Sequence, residues 1–143
     1  MSGNLTLQNR CKAKGLEVRA LQKRIRRVMR ELGRETYDLS IYLVDDAEIT
    51  RLNETRLRHA GVTDVITFDY SDTAWPELIA GEIFVCVPEA KRQARQFGVL
   101  WKEELFRYQI HGVLHLLGYD DLTAAARKKM KREENRVVNL RLL

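Results

Sequence analysis

The sequence predicts an α/β fold of the α+β sandwich type, with one small mixed sheet of about four strands and about five helices. Short segments rich in β-branched and aromatic residues alternate with stretches whose apolar residues recur every three or four positions. The stretch from about Leu100 to Leu117 is apolar on two opposite sides, which predicts a central helix buried between layers. No repeat or Pro/Gly-rich linker interrupts the 143 residues, so we expect a single domain spanning residues 1–143.

Four segments have the composition of strands. "NLTLQNR" near the N-terminus alternates between apolar and polar residues, and "DLSIYLVDD" does the same with Leu39, Ile41 and Leu43 on its inward side. "TDVITFDY" and "GEIFVCV" follow and are rich in β-branched and aromatic residues. These segments account for the predicted sheet.

The segments between the strands have helical periodicity. From about Leu16 to Leu32 the apolar residues form one face, and Gly33 is suited to end this helix. "DAEITRLNE" has the acidic start of a short helix, and Pro88 begins another that runs to about Phe97. "TAAARKKMKREENRVV" is predicted to be a final basic helix after the central one.

Positive charge is concentrated in two segments at opposite ends of the chain. The 25 Lys and Arg residues exceed the 20 Asp and Glu residues by five, a mild excess. "KAKGLEVRALQKRIRRVMR" and "RKKMKREENR" contain much of it. A solvated helix face is the commoner explanation for each segment, but two such faces flanking one site would attract nucleic acid.

The chain has the features of a cytoplasmic protein with no membrane partner. Its apolar runs are far shorter than a membrane span, and its N-terminus lacks the layout of a signal peptide. Cys11 and Cys86 stand in no CxxC or zinc-type spacing, which favours reduced thiols packed as small apolar groups.

The stretch "HGVLHLLGYDD", residues 111–121, predicts a metal site. His111 and His115 lie four apart, so both imidazoles project from one side of a helix. Gly118 can end that helix and turn the chain back, which brings Asp120 or Asp121 towards the same ion. Two nitrogens and one carboxylate oxygen are typical of a catalytic zinc site that keeps a position open.

Other interpretations of the same residues remain open. The histidines would show the same spacing if they were core residues bonded to backbone carbonyls, and either aspartate or Thr123 could cap the last helix. Gly112 stands where HExxH peptidases have their general base, which argues against that chemistry. Glu104 lies nearly two turns before the first histidine, so we expect it to support the ligands or the fold.

"HGVLHLLGYDD" resembles the signature of the YbeY endoribonuclease family, His-Gly-x-x-His-Leu-x-Gly-Tyr-Asp-His. "LNETRLRHAGVTDVITFDY" is similar to the family's Leu-Asn segment and the Thr-Asp-Val run after it, and "AGEIFVCVPEA" is similar to its Gly-Asp-Ile strand. The order and spacing of these segments are maintained from about Leu39 to the end of the chain.

The resemblance implies a metal-dependent enzyme, usually with zinc, that cuts single-stranded RNA. It also implies work in ribosomal RNA maturation, particularly on the small subunit, and in ribosome quality control, with ribosomal RNA and small-subunit proteins as partners. Carried over by position, the metal ligands are His111, His115 and Asp121.

The sequence departs from the family pattern at two positions in the site. Asp121 stands where the family more often has histidine, which makes the ligand set harder and widens the expected metals from Zn²⁺ to Ni²⁺ or Mn²⁺. The family's phosphate-directed arginine falls on Leu57, which leaves Arg56 and Arg58 as the candidate catalytic arginines or as surface charges.

Two further functions stay open at this point. The protein could be a non-catalytic ribosome-assembly or RNA-binding factor in which the metal only stabilises the fold. It could also be a hydrolase of another substrate, an alternative that Gly112 disfavours.

Overall fold

The computed structural model describes residues 3–58 and 61–140 and confirms the predicted α/β fold class. The described residues form four strands and five helices in one mixed sheet. In chain order they are β1 (Asn4–Asn9), α1 (Val18–Glu31), β2 (Tyr37–Val44), α2 (Asp46–Arg56), β3 (Val65–Asp69), β4 (Ile79–Cys86), α3 (Val87–Phe97), α4 (Trp101–Leu116) and α5 (Ala124–Val138).

The sheet has the strand order β1-β2-β4-β3. Strands β1, β2 and β4 are parallel, and β3 pairs antiparallel with β4, with Val65 opposite Val85 and Asp69 opposite Gly81. Strand β3 therefore forms one edge of the sheet and has no strand on its outer side among the described residues. This edge lies beside α4 and frames the site described below.

The main core lies between one face of the sheet and the helices α1, α4 and α5. Leu39, Ile41 and Leu43 of β2 are completely buried, as their alternation predicted. Helix α4 is buried on both predicted sides, and its fully buried residues include Leu105 and Val113. A smaller cluster under α2 covers part of the opposite sheet face.

Two glycines let α4 pack closely onto the sheet. A Cβ atom on Gly112 would lie 2.5 Å from Cγ2 of Ile83 in β4. A Cβ atom on Gly81 would lie 2.6 Å from both Cδ2 of Leu116 and the carbonyl oxygen of Phe68. Real side chains do not approach so closely, so both glycines set the separation of α4 from β4 and thereby the depth of the histidines.

The helix ends follow the chemistry of their residues. Asp45 accepts a hydrogen bond from the Glu48 backbone nitrogen at 2.9 Å and caps α2. Gly33 has a φ of 71° just after α1, as expected for a helix stop. Both cysteines are free, and Cys86 is buried in the smaller cluster. No helix within residues 3–58 and 61–140 is long and apolar enough to cross a membrane.

Candidate metal centre

The imidazoles of His111 and His115 face each other on the exposed side of the buried helix α4. Their Nε2 atoms lie 3.2 Å apart, and both side chains are partly exposed. Their four-residue spacing places them one above the other on the helix, as the sequence predicted. The two Nε2 atoms are thus directed at a common point that solvent can reach.

The Nδ1 atom of each imidazole forms a hydrogen bond with an oxygen atom of the protein. His111 Nδ1 lies 3.0 Å from a carboxylate oxygen of Glu134, and His115 Nδ1 lies 3.1 Å from the carbonyl oxygen of Tyr119. A carbonyl oxygen only accepts hydrogen bonds, as does an ionised carboxylate, so each Nδ1 is the donor; in a neutral ring this tautomer leaves the Nε2 lone pair for a metal. Burial and then the neighbouring His111 lower the pKa of His115, which favours the neutral ring that a metal requires.

The bend after α4 brings a carboxylate to the histidines. Gly118 has a φ of 101°, its nitrogen donates to the His115 carbonyl, and the Tyr119 nitrogen donates to the Leu114 carbonyl, each at 3.0 Å. These two bonds close the helix end and reverse the chain. Asp121 Oδ2 then lies 3.9 Å from both Nε2 atoms.

The N-terminal cap of α5 is Thr123 and not one of the two aspartates. Thr123 accepts from the Ala126 nitrogen at 3.0 Å and caps α5. Asp120 accepts from the Leu122 nitrogen at 3.0 Å within the bend. Asp121 is the aspartate whose carboxylate faces the rings.

The three groups fit a single divalent cation. Ligand atoms at about 2.0–2.1 Å from a tetrahedral zinc ion lie about 3.3 Å apart. The two nitrogens already have this separation at 3.2 Å, and the carboxylate oxygen, at 3.9 Å from each, needs only a small rotation about its side chain. An α/β protein whose central helix presents two imidazoles, with one exposed carboxylate from the bend after that helix, has the ligand composition of an open, catalytic type of metal site.

Glu134 of α5, which the sequence analysis missed, holds the first histidine. It is only 5% exposed, and its Oε1 accepts from Arg107 Nη1 at 2.7 Å and from Lys131 Nζ at 3.3 Å. Burial raises the pKa of Glu134, but the bonds from His111 and Arg107 outweigh it and bring that pKa to about 2. The side chain is therefore an ionised acceptor for the imidazole.

A sequence signal for Glu134 existed. Glu134 lies four residues after Met130 and three residues before Val137, so this acidic side chain occupies a position in the apolar stripe of an otherwise basic helix. Glu104, from which the sequence predicted support, lines a cavity with His111, and its side chain makes no hydrogen bond with any residue in 3–58 or 61–140. The supporting carboxylate thus comes from the next helix.

A cavity of about 460 Å³ lies between the histidines and the edge strand β3. Residues 63–67 form one wall, and Leu57 contributes from the end of α2. The guanidinium of Arg56 lies 4.6 Å from the ring centroid of Phe68. Arg58 is exposed and has a φ of 58°. Of the segment 56–58, Leu57 is the residue that lines this cavity.

The close packing of Gly112 against the sheet excludes one type of metal-dependent hydrolysis, that of the HExxH peptidases. Its missing side chain would collide with Ile83 in the sheet, so α4 has no room at that position for the glutamate of an HExxH site. The HExxH peptidase mechanism therefore has neither the residue nor the space that it requires.

Comparison with known proteins identifies the family. A family profile described as Endoribonuclease YbeY matches residues 6–141, and the chain belongs to this family. A protein named Endoribonuclease YbeY from Parabacteroides distasonis is 33% identical over 131 residues, covering 88% of this chain and 90% of the relative. Another of that name from Aquifex aeolicus is 38% identical over 109 residues, covering 76% and 73%.

A solved structure is similar over most of the chain. The solution structure of TM1509 from Thermotoga maritima has a TM-score of 0.68 and 29% sequence identity. The match covers 94% of this chain and 86% of that one. The resemblance inferred from the sequence motifs is therefore confirmed at the level of family and fold.

Proposed function

We propose that this chain is a metal-dependent endoribonuclease that cleaves single-stranded RNA, and that residues 1–143 are one such domain. Its curated relatives are named for RNA cleavage, and it belongs to their family. The observation that carries the proposal is the convergence of two imidazole nitrogens and one carboxylate oxygen within 4.8 Å of one another. We propose His111, His115 and Asp121 as the metal ligands.

We propose Zn²⁺ as the ion, with Ni²⁺ or Mn²⁺ as alternatives because one ligand is a carboxylate. A bound ion supplies Lewis-acid activation of the scissile phosphate and of the attacking water. The chain's own residues hold the geometry for it: Glu134 and the Tyr119 carbonyl orient the rings, and the bend at Gly118 delivers Asp121.

The substrate approaches along the edge of the sheet in this proposal. Strand β3 forms a wall of the cavity beside the histidines, so an extended RNA strand can lie along it. We propose that Arg56 or Arg58 offsets the charge that builds on the phosphate, which requires the Arg56 guanidinium to leave the Phe68 ring. Ribosomal RNA precursors of the small subunit are the proposed substrate, with small-subunit proteins as partners in a cytoplasmic location.

The experiment is cleavage of a single-stranded RNA by the His115→Ala variant under added zinc. We expect cleavage to be lost, since one of the two nitrogen ligands is gone. Asp120→Ala is the matched control, because Asp120 bonds to the Leu122 nitrogen and not to the histidines. Undiminished cleavage by purified His115→Ala would reject the proposed mechanism.

One observation favours a second function, a metal-stabilised RNA-binding or ribosome-assembly factor that does not cut. The residue at the family's arginine position is Leu57, and it lines the cavity without a charge. This alternative predicts RNA binding with no cleavage in zinc, manganese or nickel. Cleavage with any of the three metals that depends on His115 would exclude it.

A further inference from the structure

A second cavity, of about 480 Å³, lies on the other side of the histidines, between α4 and α5. We call it the α4–α5 cavity. It shares Asp64, His111 and Asp121 with the cavity beside β3, so the two cavities meet at the proposed metal ligands. An endonuclease cuts inside a chain and has to hold nucleotides on both sides of the reacting phosphate. A pair of cavities that join at the metal site matches that requirement.

Two buried side chains, one of them with a hydroxyl, contribute apolar surface to the α4–α5 cavity. Tyr108 and Met130 line it and are 8% and 2% exposed. The Tyr108 hydroxyl makes no hydrogen bond with any described residue, yet it is not sealed away from solvent. A hydroxyl on a side chain that is more than nine-tenths buried normally has a partner, so this one is available to a ligand.

Two carboxylates, those of Asp64 and Glu104, line the same cavity as that hydroxyl. Burial and then the nearby charges of Asp64, Glu104 and Glu89 raise the pKa of Tyr108, so the phenol stays protonated and can donate. Asp64 uses one oxygen to accept from the Val65 nitrogen at 2.8 Å, and Glu104 has no side-chain partner among residues 3–58 and 61–140. The carboxylate oxygens of Asp64 and Glu104 are thus available as acceptors, and acceptors select a ligand that carries hydrogen-bond donors.

Two cations of α5 lie at the rim. Arg107 and Lys131 are already bonded to Glu134. Among the described residues, Lys128 forms no ion pair, and the side chain of Arg127 bonds only to the Asp121 carbonyl, at 3.3 Å. A phosphate at this rim would meet these two cations and would remain away from the carboxylates inside.

We propose that the α4–α5 cavity is a nucleotide subsite that takes a base with an exocyclic amino group in preference to uracil, with the adjoining phosphate on Lys128 and Arg127. The inference rests on the proposed RNA-cleaving function. Cytosine, adenine and guanine each present an exocyclic amino group to a carboxylate. Uracil has a carbonyl oxygen where cytosine has that amino group, and it keeps only its ring N3–H as a donor. The metal site and the base specificity would then be separate parts of one groove.

The test uses binding and not cleavage. The chain has three methionines, so protein labelled with ¹³C at the methionine methyl groups gives a simple NMR spectrum. Met130 reports on the cavity, and the fully buried Met29 serves as an internal reference. The Met130 signal is assigned with Met130→Leu. Cytidine 5′-monophosphate, uridine 5′-monophosphate and inorganic phosphate are titrated separately, with and without zinc.

We expect the cytidine nucleotide to shift the Met130 signal, and the uridine nucleotide to need about 3- to 10-fold higher concentration, the effect of one or two hydrogen bonds. Tyr108→Phe should weaken cytidine binding by a similar factor. Tyr37→Phe is the matched control, since its side chain is similarly buried and its hydroxyl accepts from Arg26 at 3.1 Å, outside the cavity lining. Lys128→Ala should weaken both nucleotides and reduce the dependence of binding on salt.

Equal binding of the two nucleotides, or a Met130 shift that inorganic phosphate alone reproduces, would overturn the inference. An unmoved Met130 signal in a protein that still cuts RNA would also overturn it while leaving the proposed function intact. In contrast, a nucleotide-dependent shift together with undiminished cleavage by His115→Ala would remove the proposed mechanism and leave the cavity as a nucleotide site.

Discussion

Replacing Glu134 by glutamine tests how far metal affinity depends on the helix behind the ligands. Glutamine keeps the size of the side chain and an oxygen that can accept from His111 Nδ1, but it removes the negative charge that lies 3.0 Å from that nitrogen. Loss of a carboxylate behind a metal-binding histidine typically weakens binding about 10- to 100-fold, or about 1.4–2.7 kcal/mol. We expect Glu134→Gln to weaken zinc binding by about 10-fold and Glu134→Ala to weaken it by about 100-fold.

The same change acts on the stability of the metal-free protein. The ion pair between Arg107 and Glu134 is 2.7 Å long and its side chains are 25% and 6% exposed, so solvent screens it little. Removing the carboxylate takes away the charged partner of the guanidinium and leaves it the Asn135 Oδ1 atom at 2.8 Å, which costs about 1–3 kcal/mol. Lys131 adds little to this figure because its side chain is 62% exposed.

The assay is a zinc dissociation constant measured in competition with a chromophoric chelator, with urea unfolding of the metal-free protein alongside. Glu133→Gln is the matched control, since Glu133 pairs with the exposed Arg136 and does not touch either imidazole. Zinc binding by Glu134→Gln within about twofold of that by the unsubstituted protein, or an equal loss of affinity in Glu134→Gln and Glu133→Gln, would contradict this prediction.

Three further predictions follow from the packing and the bend. Gly112→Ala should lower the free energy of unfolding by about 1–3 kcal/mol in urea, and its effect should shrink in an Ile83→Ala background, because the new Cβ atom meets Ile83; additive effects would contradict this contact. Asp121→His should raise the preference for zinc over manganese in metal titrations, as nitrogen replaces oxygen, whereas Asp120→Ala should leave both affinities unchanged. Leu57→Arg should raise the rate constant for RNA cleavage at saturating RNA, because it places a guanidinium on the cavity wall. An unchanged rate constant in a variant whose circular dichroism spectrum shows an intact fold would argue against a need for positive charge at this position.

Local spacing was enough to predict that two imidazoles and a nearby carboxylate lie close together, which the positions of His111, His115 and Asp121 confirm. The four-residue separation of His111 and His115 is a property of any α-helix, and Gly118 ends that helix through a backbone conformation that glycine adopts readily. The position of Asp121 follows from the short bend that comes next. These relations involve neighbours in sequence, so the chain's local pattern determines them before any packing is known.

The elements of the fold were predictable for a similar reason. Alternation placed Leu39, Ile41 and Leu43 inside, and the two apolar sides of α4 predicted its burial between layers. Helix and strand periods differ enough to be distinguished in segments of this length.

Only the tertiary structure decided which groups from distant segments meet at the site. Glu134 reaches His111 because α5 packs back along α4, and Leu57, not a neighbouring arginine, lines the cavity because of how α2 ends beside β3. Gly112 proved to be a packing requirement through its contact with Ile83, 29 positions away along the chain. Such contacts depend on the relative placement of whole helices and strands, which many residues set jointly through burial, and no local period encodes them.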